Sequence, residues 1–440
     1  MLILINTLGK KMLPDWLYQR LIGDWSKEGL LKYLSNTGWI FFGKIGTLIT
    51  SFLATLYVAR NLGPANFGEL SYAISFVGLF SFFASFGIDS VLYRELIKTP
   101  EKRSSLMGTA LLIKISASIF ATTTAIVTAL IFSPKDVSLW LVVILSSAFL
   151  LQSFYIITTE FGAIVNNKGI SIISILVTLI LNILKIIVIA LGGGVIYLAL
   201  VLFLESVLYA AGYIYLHTKF FGSLRKLEFE FVLAKQLILD AWPFLLSSAF
   251  AIVYARIDQI MLKNIIDAKA VGLYDSAVRL SELWYFIPTV LAGALFPAIV
   301  LARSHSMTSY RRRVIALFKL AIGISLVITL TVYLLASPII LTIFGPTFIE
   351  SIPILQIYIW AFIPTTIVVI ANQILLAENA RLILFSSTAI GMVVNIIGNV
   401  ILIPDYQASG AAFTTVLSSC VVVVFLLGTY LYSRIKTRII

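Results

Sequence analysis

Apolar runs of about twenty residues recur along the whole chain, separated by short polar breaks. Twelve runs stand out, at 33–58, 67–88, 107–131, 137–159, 170–191, 195–217, 237–262, 271–301, 314–336, 349–376, 381–403 and 408–432. About twenty residues of helix, at ~1.5 Å per residue, cross a hydrocarbon core of ~30 Å. The pattern lacks the alternating segments of about ten residues that mark a membrane β-barrel. It predicts an all-α polytopic membrane protein of about 12 transmembrane helices.

The longest polar break is "HTKFFGSLRKLEFEFVLAKQ", at 217–236. It divides the spans into two lobes of six, and the halves show weak internal likeness. "LGPANFGELSYA" (62–73) follows the first span and "IDAKAVGLYDSA" (266–277) the seventh, which pairs Gly68 with Gly272 and Ala73 with Ala277. "NILKIIVIALGGGVIYLA" (182–199) and "NIIGNVILIPDYQASGAA" (395–412) pair Asn182 with Asn395 and Ala199 with Ala412. Six crossings per half give both halves the same orientation. They are expected to be parallel repeats about an axis along the membrane normal, one of the repeat types of secondary transporters. The expected divisions are an amino-terminal interfacial segment (1–32), a first lobe (33–218), a linker (219–236), a second lobe (237–433) and a basic tail (434–440). In the first segment Leu13, Leu17, Leu21 and Trp25 stand four apart and Pro14 is well placed to begin a helix, which predicts an interfacial amphipathic helix with Trp16 and Trp25 at headgroup level.

Composition agrees with the pattern: 60% of residues are hydrophobic and 12% charged. The net charge of +12 raises the question of nucleic acid. Placing the amino terminus in the cytoplasm puts 22 of the 32 Lys and Arg residues in cytoplasmic segments, 4 on the other side and 6 within spans. The charge is therefore read as an orientation signal with both termini cytoplasmic, and no nucleic-acid partner is expected. The lone Cys420 excludes a disulfide framework. His217 and His305 are far apart, so no metal site is expected. The opening "MLILINTLGKKMLPDW" does not read as a cleaved signal peptide.

The candidate chemistry lies in charges that fall inside apolar runs. The basic ones are Lys44, Lys114, Lys185, Arg256, Arg279 and Lys319, and the acidic ones Glu205, Asp258, Asp275 and Glu282. A charge at bilayer depth costs at least ~2.5 kcal/mol on insertion scales and marks a functional position by default. Arg256 and Asp258 are two apart, so they point to different sides of their helix. Arg256 shares a face with Gln259 and Lys263, a stripe facing protein or water. Asp275 with Arg279, and Arg279 with Glu282, have the spacing of helical ion pairs. Lys44 holds the matching place on the first span, in line with Thr47 and Ser51. A central cavity lined by Lys44 and Arg256, with Lys185 and Arg279 as further binding candidates, suits an anion such as a pyrophosphate. Asp258, Glu282 and Glu205 are candidates for Na⁺ or H⁺ coupling or for structural counter-ions. No cofactor is expected. Neither a phosphate-binding Gly-rich loop nor a Ser/His/Asp set or carboxylate pair at catalytic spacing is present, so the chain does not read as an enzyme.

Three stretches carry a resemblance: "LYVARNLGPANFGELSYAISFVGLF" (56–80), "ARIDQIMLKNIIDAKAVGLYDSAVRLSE" (255–282) and "NIIGNVILIPDYQASGAAFTTVLSS" (395–419). Together they resemble the polysaccharide transporter branch of the multidrug/oligosaccharidyl-lipid/polysaccharide (MOP) superfamily, and within it the O-antigen repeat-unit (Wzx-type) flippases. The resemblance implies a V-shaped, MATE-like transporter working by alternating access. It implies an undecaprenyl-pyrophosphate-linked oligosaccharide as substrate, moved across the bacterial cytoplasmic (inner) membrane for lipopolysaccharide or another surface polysaccharide. Polymerase and chain-length machinery are the partners it suggests. The alternatives are a MATE-like multidrug or cation antiporter using carboxylates, a lipid II flippase, and a membrane scaffold without a transport path.

Overall fold

A computed structural model describes residues 27–132, 137–293, 306–377 and 380–439. The expected interfacial helix around Trp16 and Trp25, and the far end of the span at 271–301, lie outside these residues. Among the described residues there are helices and no strands. The first half contains α1 (Lys27–Ser85), α2 (Ile88–Lys98), α3 (Arg103–Phe132), α4 (Val137–Gln152), α5 (Ile156–Ala163), α6 (Lys168–Ala190) and α7 (Val195–Phe221). The second contains α8 (Phe231–Ile265), α9 (Ala268–Glu282), α10 (Met307–Leu334), α11 (Ala336–Ile343), α12 (Ser351–Tyr358), α13 (Phe362–Ala377) and α14 (Arg381–Ile439). Nine helical segments among the described residues are long and apolar enough to cross a membrane. This is a multi-pass membrane protein.

Two segments hold two expected spans each. A straight helix of 59 residues, the length of both α1 and α14, would be roughly 90 Å long. Both are broken near the middle. In α1 the break is Gly63, at φ 75° and ψ 167°, with Pro64 beginning the second limb. Only glycine takes that backbone conformation without strain, and proline suits the first turn of a helix. In α14 the break is Gln407, with φ 52° and ψ −133°, close after Pro404. Gly398 and Thr414 face each other across it, so the two limbs of α14 form a hairpin: a methyl group on Gly398 would lie 2.6 Å from Thr414 Cγ2. Short 3₁₀ turns at Ser153–Tyr155 and Ile359–Ala361 interrupt two further spans.

In lipid there is no hydrophobic drive between helices, so close packing relies on small side chains. Ala59, Ala73, Ala121, Ala125, Ala277, Ala411 and Ala412 are buried at helix contacts in the main core. The closest approach joins the second limb of α1 to α9. A side chain on Gly68 would be driven into the carbonyl of Ala268, and one on Gly272 into the carbonyl of Pro64. Ser71 Oγ donates to Asp275 Oδ2 at 2.7 Å, a pair separated by 204 positions. Gly68 with Gly272 and Pro64 with Ala268 stand at the same spacing. Reciprocal contacts between equivalent positions are what a twofold axis between two related elements produces. Lys263 strengthens the same end of the molecule, binding Glu69 at 2.5 Å and also Ser138.

The break between the halves is not a loose loop. Ser104 Oγ donates to the Lys226 carbonyl at 2.9 Å, and the Glu230 N–H donates to Thr109 Oγ1 at 3.0 Å. Gly108 lies against the backbone of Glu228 with no room for a side chain. This fastens the start of α8 along the first turns of α3.

Candidate functional site

Beneath the Gly68–Gly272 contact lies a cavity of about 300 Å³ between the halves. Thr55 and Val58 of α1 line it, with Phe67, Leu70, Ser71 and Ile74 from the second limb. Lys185 of α6, Leu198 and Leu202 of α7, Arg256 of α8, and Asp275, Val278, Arg279 and Glu282 of α9 complete the wall. Three of the four bases read as binding candidates, Lys185, Arg256 and Arg279, are thus brought to one chamber. Lys44 is not in its wall. It is exposed near the middle of the first limb of α1, eleven residues before Thr55, or about 16 Å along the axis. Eleven residues is close to three full turns, so Lys44, Ser51 and Thr55 share one helical stripe.

The bases differ in their freedom. Arg279 Nε donates to Asp275 Oδ2 at 2.6 Å, and Lys185 Nζ stands 3.5 Å from Glu205 Oε2. Asp275 also accepts from Ser71 and, at 3.4 Å, from Gln259 Nε2. Arg256 makes no hydrogen bond or ion pair with the described residues; its nearby opposite charge is Glu282. Glu282 in turn accepts from the Tyr358 hydroxyl at 3.4 Å. The chamber is therefore charge-mixed, with two engaged bases and one open one, and not uniformly basic. The other two members of the Arg256 stripe also hold contacts: Gln259 with Asp275, and Lys263 with Glu69. Lys114, another base inside an apolar run, is held by Asp89 at 2.9 Å.

Asp258 faces away from this chamber and is buried in the second half. No base lies against it among the described residues. Its Oδ2 accepts from the Tyr274 hydroxyl at 2.5 Å and from Thr415 Oγ1 at 2.9 Å. Its Oδ1 accepts from Asn399 Nδ2 at 2.6 Å, and that amide also donates to Asn395 Oδ1 at 3.1 Å. The Asn399 Oδ1 atom is buried without a hydrogen-bond partner among the described residues. One carboxylate among hydroxyl and amide groups, with the Asn399 Oδ1 and Asn395 Nδ2 atoms both lacking a partner among the described residues, has the ligand chemistry of a site for a proton or, with the amides turned to present oxygen, a monovalent cation. Among the described residues no group of three or more His, Cys, Asp or Glu side chains could hold a metal ion.

Sequence reasoning found Asp258 but not its partners. Asn395 was visible through its repeat match with Asn182. Tyr274, Asn399 and Thr415 carried no such signal, because an isolated polar residue in an apolar run looks the same whether it faces a neighbour or an acid.

A family model for polysaccharide biosynthesis proteins matches residues 33–302, more than half of the chain. The chain belongs to this family. The chain is also 27% identical over 169 residues to the probable flippase AglR of Haloferax volcanii. That match covers 38% of this chain and about a third (35%) of the relative's length. Its fold is that of the MOP transporters. A solved lipid II flippase, MurJ, superposes with a TM-score of 0.71 at 16% identity, covering 90% of this chain and 87% of that one. A MATE-family multidrug resistance transporter superposes with a TM-score of 0.70, also at 16% identity, covering 89% and 96%.

Proposed function

We propose that this family member is a flippase for a lipid-linked glycan, with the charge-mixed cavity receiving the phosphate end of the substrate. The observation that carries this reading is Arg256, which makes no hydrogen bond or ion pair with the described residues, in a chamber built from both halves. An arginine gives a phosphate two parallel hydrogen bonds, and one that is not already held by a carboxylate need not be released first. The volume of about 300 Å³ is at the lower end of ligand pockets. It suits a pyrophosphate and the adjoining sugar, not a whole oligosaccharide, so the longer glycan needs the chamber to widen. In this reading Lys44, on the Thr55 stripe about three turns away, meets the phosphate before Arg256 does.

The finer reading is an undecaprenyl-pyrophosphate-linked repeat unit carried across a bacterial cytoplasmic membrane. The excess of Lys and Arg on one side supports cytoplasmic termini. The family match supports a part in polysaccharide biosynthesis, and the choice of an O-antigen or lipopolysaccharide repeat unit within it rests on the resemblance of the three sequence stretches. Asp258 supplies the coupling site, binding H⁺ or Na⁺ on each cycle. A MATE-like antiporter would need cavity carboxylates free for a cationic drug. Of the two carboxylates in the wall, Asp275 is held by Ser71, Gln259 and Arg279, and Glu282, which accepts only from Tyr358 among the described residues, faces the Arg256 charge.

The test is transport of a polyprenyl-pyrophosphate-linked oligosaccharide in proteoliposomes. A hydrogen bond to a charged group contributes about 1.5–3 kcal/mol, so Arg256→Ala is expected to lose about tenfold or more in transport at unchanged insertion. Arg256→Lys should retain part of it. Full transport by Arg256→Ala sinks the phosphate reading. Export of a cationic dye without glycan transport would favour the antiporter.

A further inference from the structure

We infer that Tyr274 and Asp275, consecutive on α9, are the link through which occupancy of the Asp258 site controls the contact between the halves. This rests on the coupling role given to Asp258 above.

Two neighbouring residues of α8 meet two neighbouring residues of α9. Asp258 holds the Tyr274 hydroxyl, and Gln259 holds the Asp275 carboxylate. The Asp275 carboxylate also takes Ser71 from the other half and Arg279 from the cavity wall. One turn of α9 therefore touches the buried carboxylate, the crossing between halves and the substrate chamber. A cation or proton on Asp258 competes for the oxygen to which Tyr274 donates. Losing that bond frees α9 to shift against α8. The shift falls on Asp275, and with it on the Ser71 bond and the Gly68–Gly272 crossing, where no side chain cushions the approach.

The neighbouring chemistry favours one path. The titratable groups near Asp258 are Tyr254 on its own helix, Tyr274 on α9 and Tyr358 on α12, whose ring meets that of Tyr274 edge-on at 5.9 Å. Asn395, Asn399 and Thr415, from α14, do not titrate. Tyr254 is engaged with Ser418 and Ser419, which stay within the second half. Tyr274 alone adjoins the residue that reaches across. Linkage makes the effect reciprocal: separating the halves at Ser71 must change cation affinity by the same factor that cation binding changes the separation.

The test uses the full chain with Cys420→Ser and spin labels at Asn66→Cys and Asn264→Cys, both exposed, one in each half. Distances are measured in proteoliposomes in Na⁺ or choline and across a pH series. The unmutated background should shift its distance distribution with Na⁺ or with pH. Tyr274→Phe keeps the ring and removes the donor, and the shift should weaken by about fivefold or more. Asn399→Ala removes the donor to the other carboxylate oxygen, away from the Tyr274 hydroxyl; it should change the cation concentration needed while leaving the size of the shift. A Tyr274→Phe response as large as the background's overturns the link and leaves Asp258 coupling standing. An equal loss in Tyr274→Phe and Asn399→Ala also overturns it, since the donors would then act only through the site's polarity. A background that responds to neither Na⁺ nor pH overturns the coupling role itself.

Discussion

At the scale of single residues, the charges inside the apolar runs divide by whether a partner already holds them. Lys114 and Lys185 have carboxylates, and Arg279 is fixed by Asp275. Arg256 and Asp258 were the sequence's sharpest anomaly, two charges two positions apart. Helical geometry was enough to separate them, and the structure gives them different surroundings: an open chamber for one, neutral donors for the other. The identity of those donors was not legible, because it depends on which turns of α9 and α14 face α8. Asp258→Asn replaces an acceptor-only group with an amide whose NH₂ meets donors already aimed at it, and it removes the charge a cation needs. Transport should become independent of Na⁺ and pH, and the folded protein should lose about 1–3 kcal/mol for the unsatisfied donors. Transport rates against cation concentration, together with a thermal melt in detergent, check both. Unchanged cation dependence would remove Asp258 from the coupling role.

At the scale of helices, the crossing of α1 and α9 depends on two glycines. The sequence showed Gly68 and Gly272 as equivalent by repeat. It did not show that they touch, since internal likeness reports shared ancestry of form and carries no distance. The structure puts each against the other helix's backbone. Gly68→Ala and Gly272→Ala should therefore have the same phenotype. Each protein inserts, because neither glycine is needed within its own helix, but the halves cannot close at this end. A cysteine pair bridging the crossing should cross-link in the parent chain and fall about tenfold or more in either variant. Efficient cross-linking in one variant alone would contradict a reciprocal contact. The 3₁₀ turn at Ser153–Tyr155 was illegible for a different reason: no Pro or Gly marks it. The turn at Ile359–Ala361 carried a mark, Pro364, which has no N–H to donate to the Trp360 carbonyl one turn back.

At the scale of the molecule, the two halves share a backbone plan but not their chemistry. Stepping back 204 positions from Arg256, Asp258, Tyr274, Arg279 and Glu282 reaches Phe52, Ala54, Leu70, Ser75 and Gly78. Stepping back 213 from Asn399 and Thr415 reaches Ile186 and Leu202. The place that holds a buried carboxylate in the second half is apolar in the first, and of the cavity bases only Lys185 comes from the first half. This asymmetry has a physical sense. A rocking pair of bundles needs matched shapes to close on either side, whereas one binding site and one coupling site are sufficient and each extra membrane-buried charge is costly. Mutational sensitivity should follow the chemistry and not the shape. Neutralising Arg256, Asp258 or Glu282 should cut transport about tenfold or more. Their counterparts should tolerate Phe52→Leu, Ala54→Ser and Gly78→Ala within about threefold; Gly78 has open space around its Cβ position. Transport by this matched set in proteoliposomes, normalised to inserted protein, measures the asymmetry directly. Equal losses in the two halves would mean that substrate and coupling ion use both bundles alike, and that the apolar face around Ala54 takes part in the cycle.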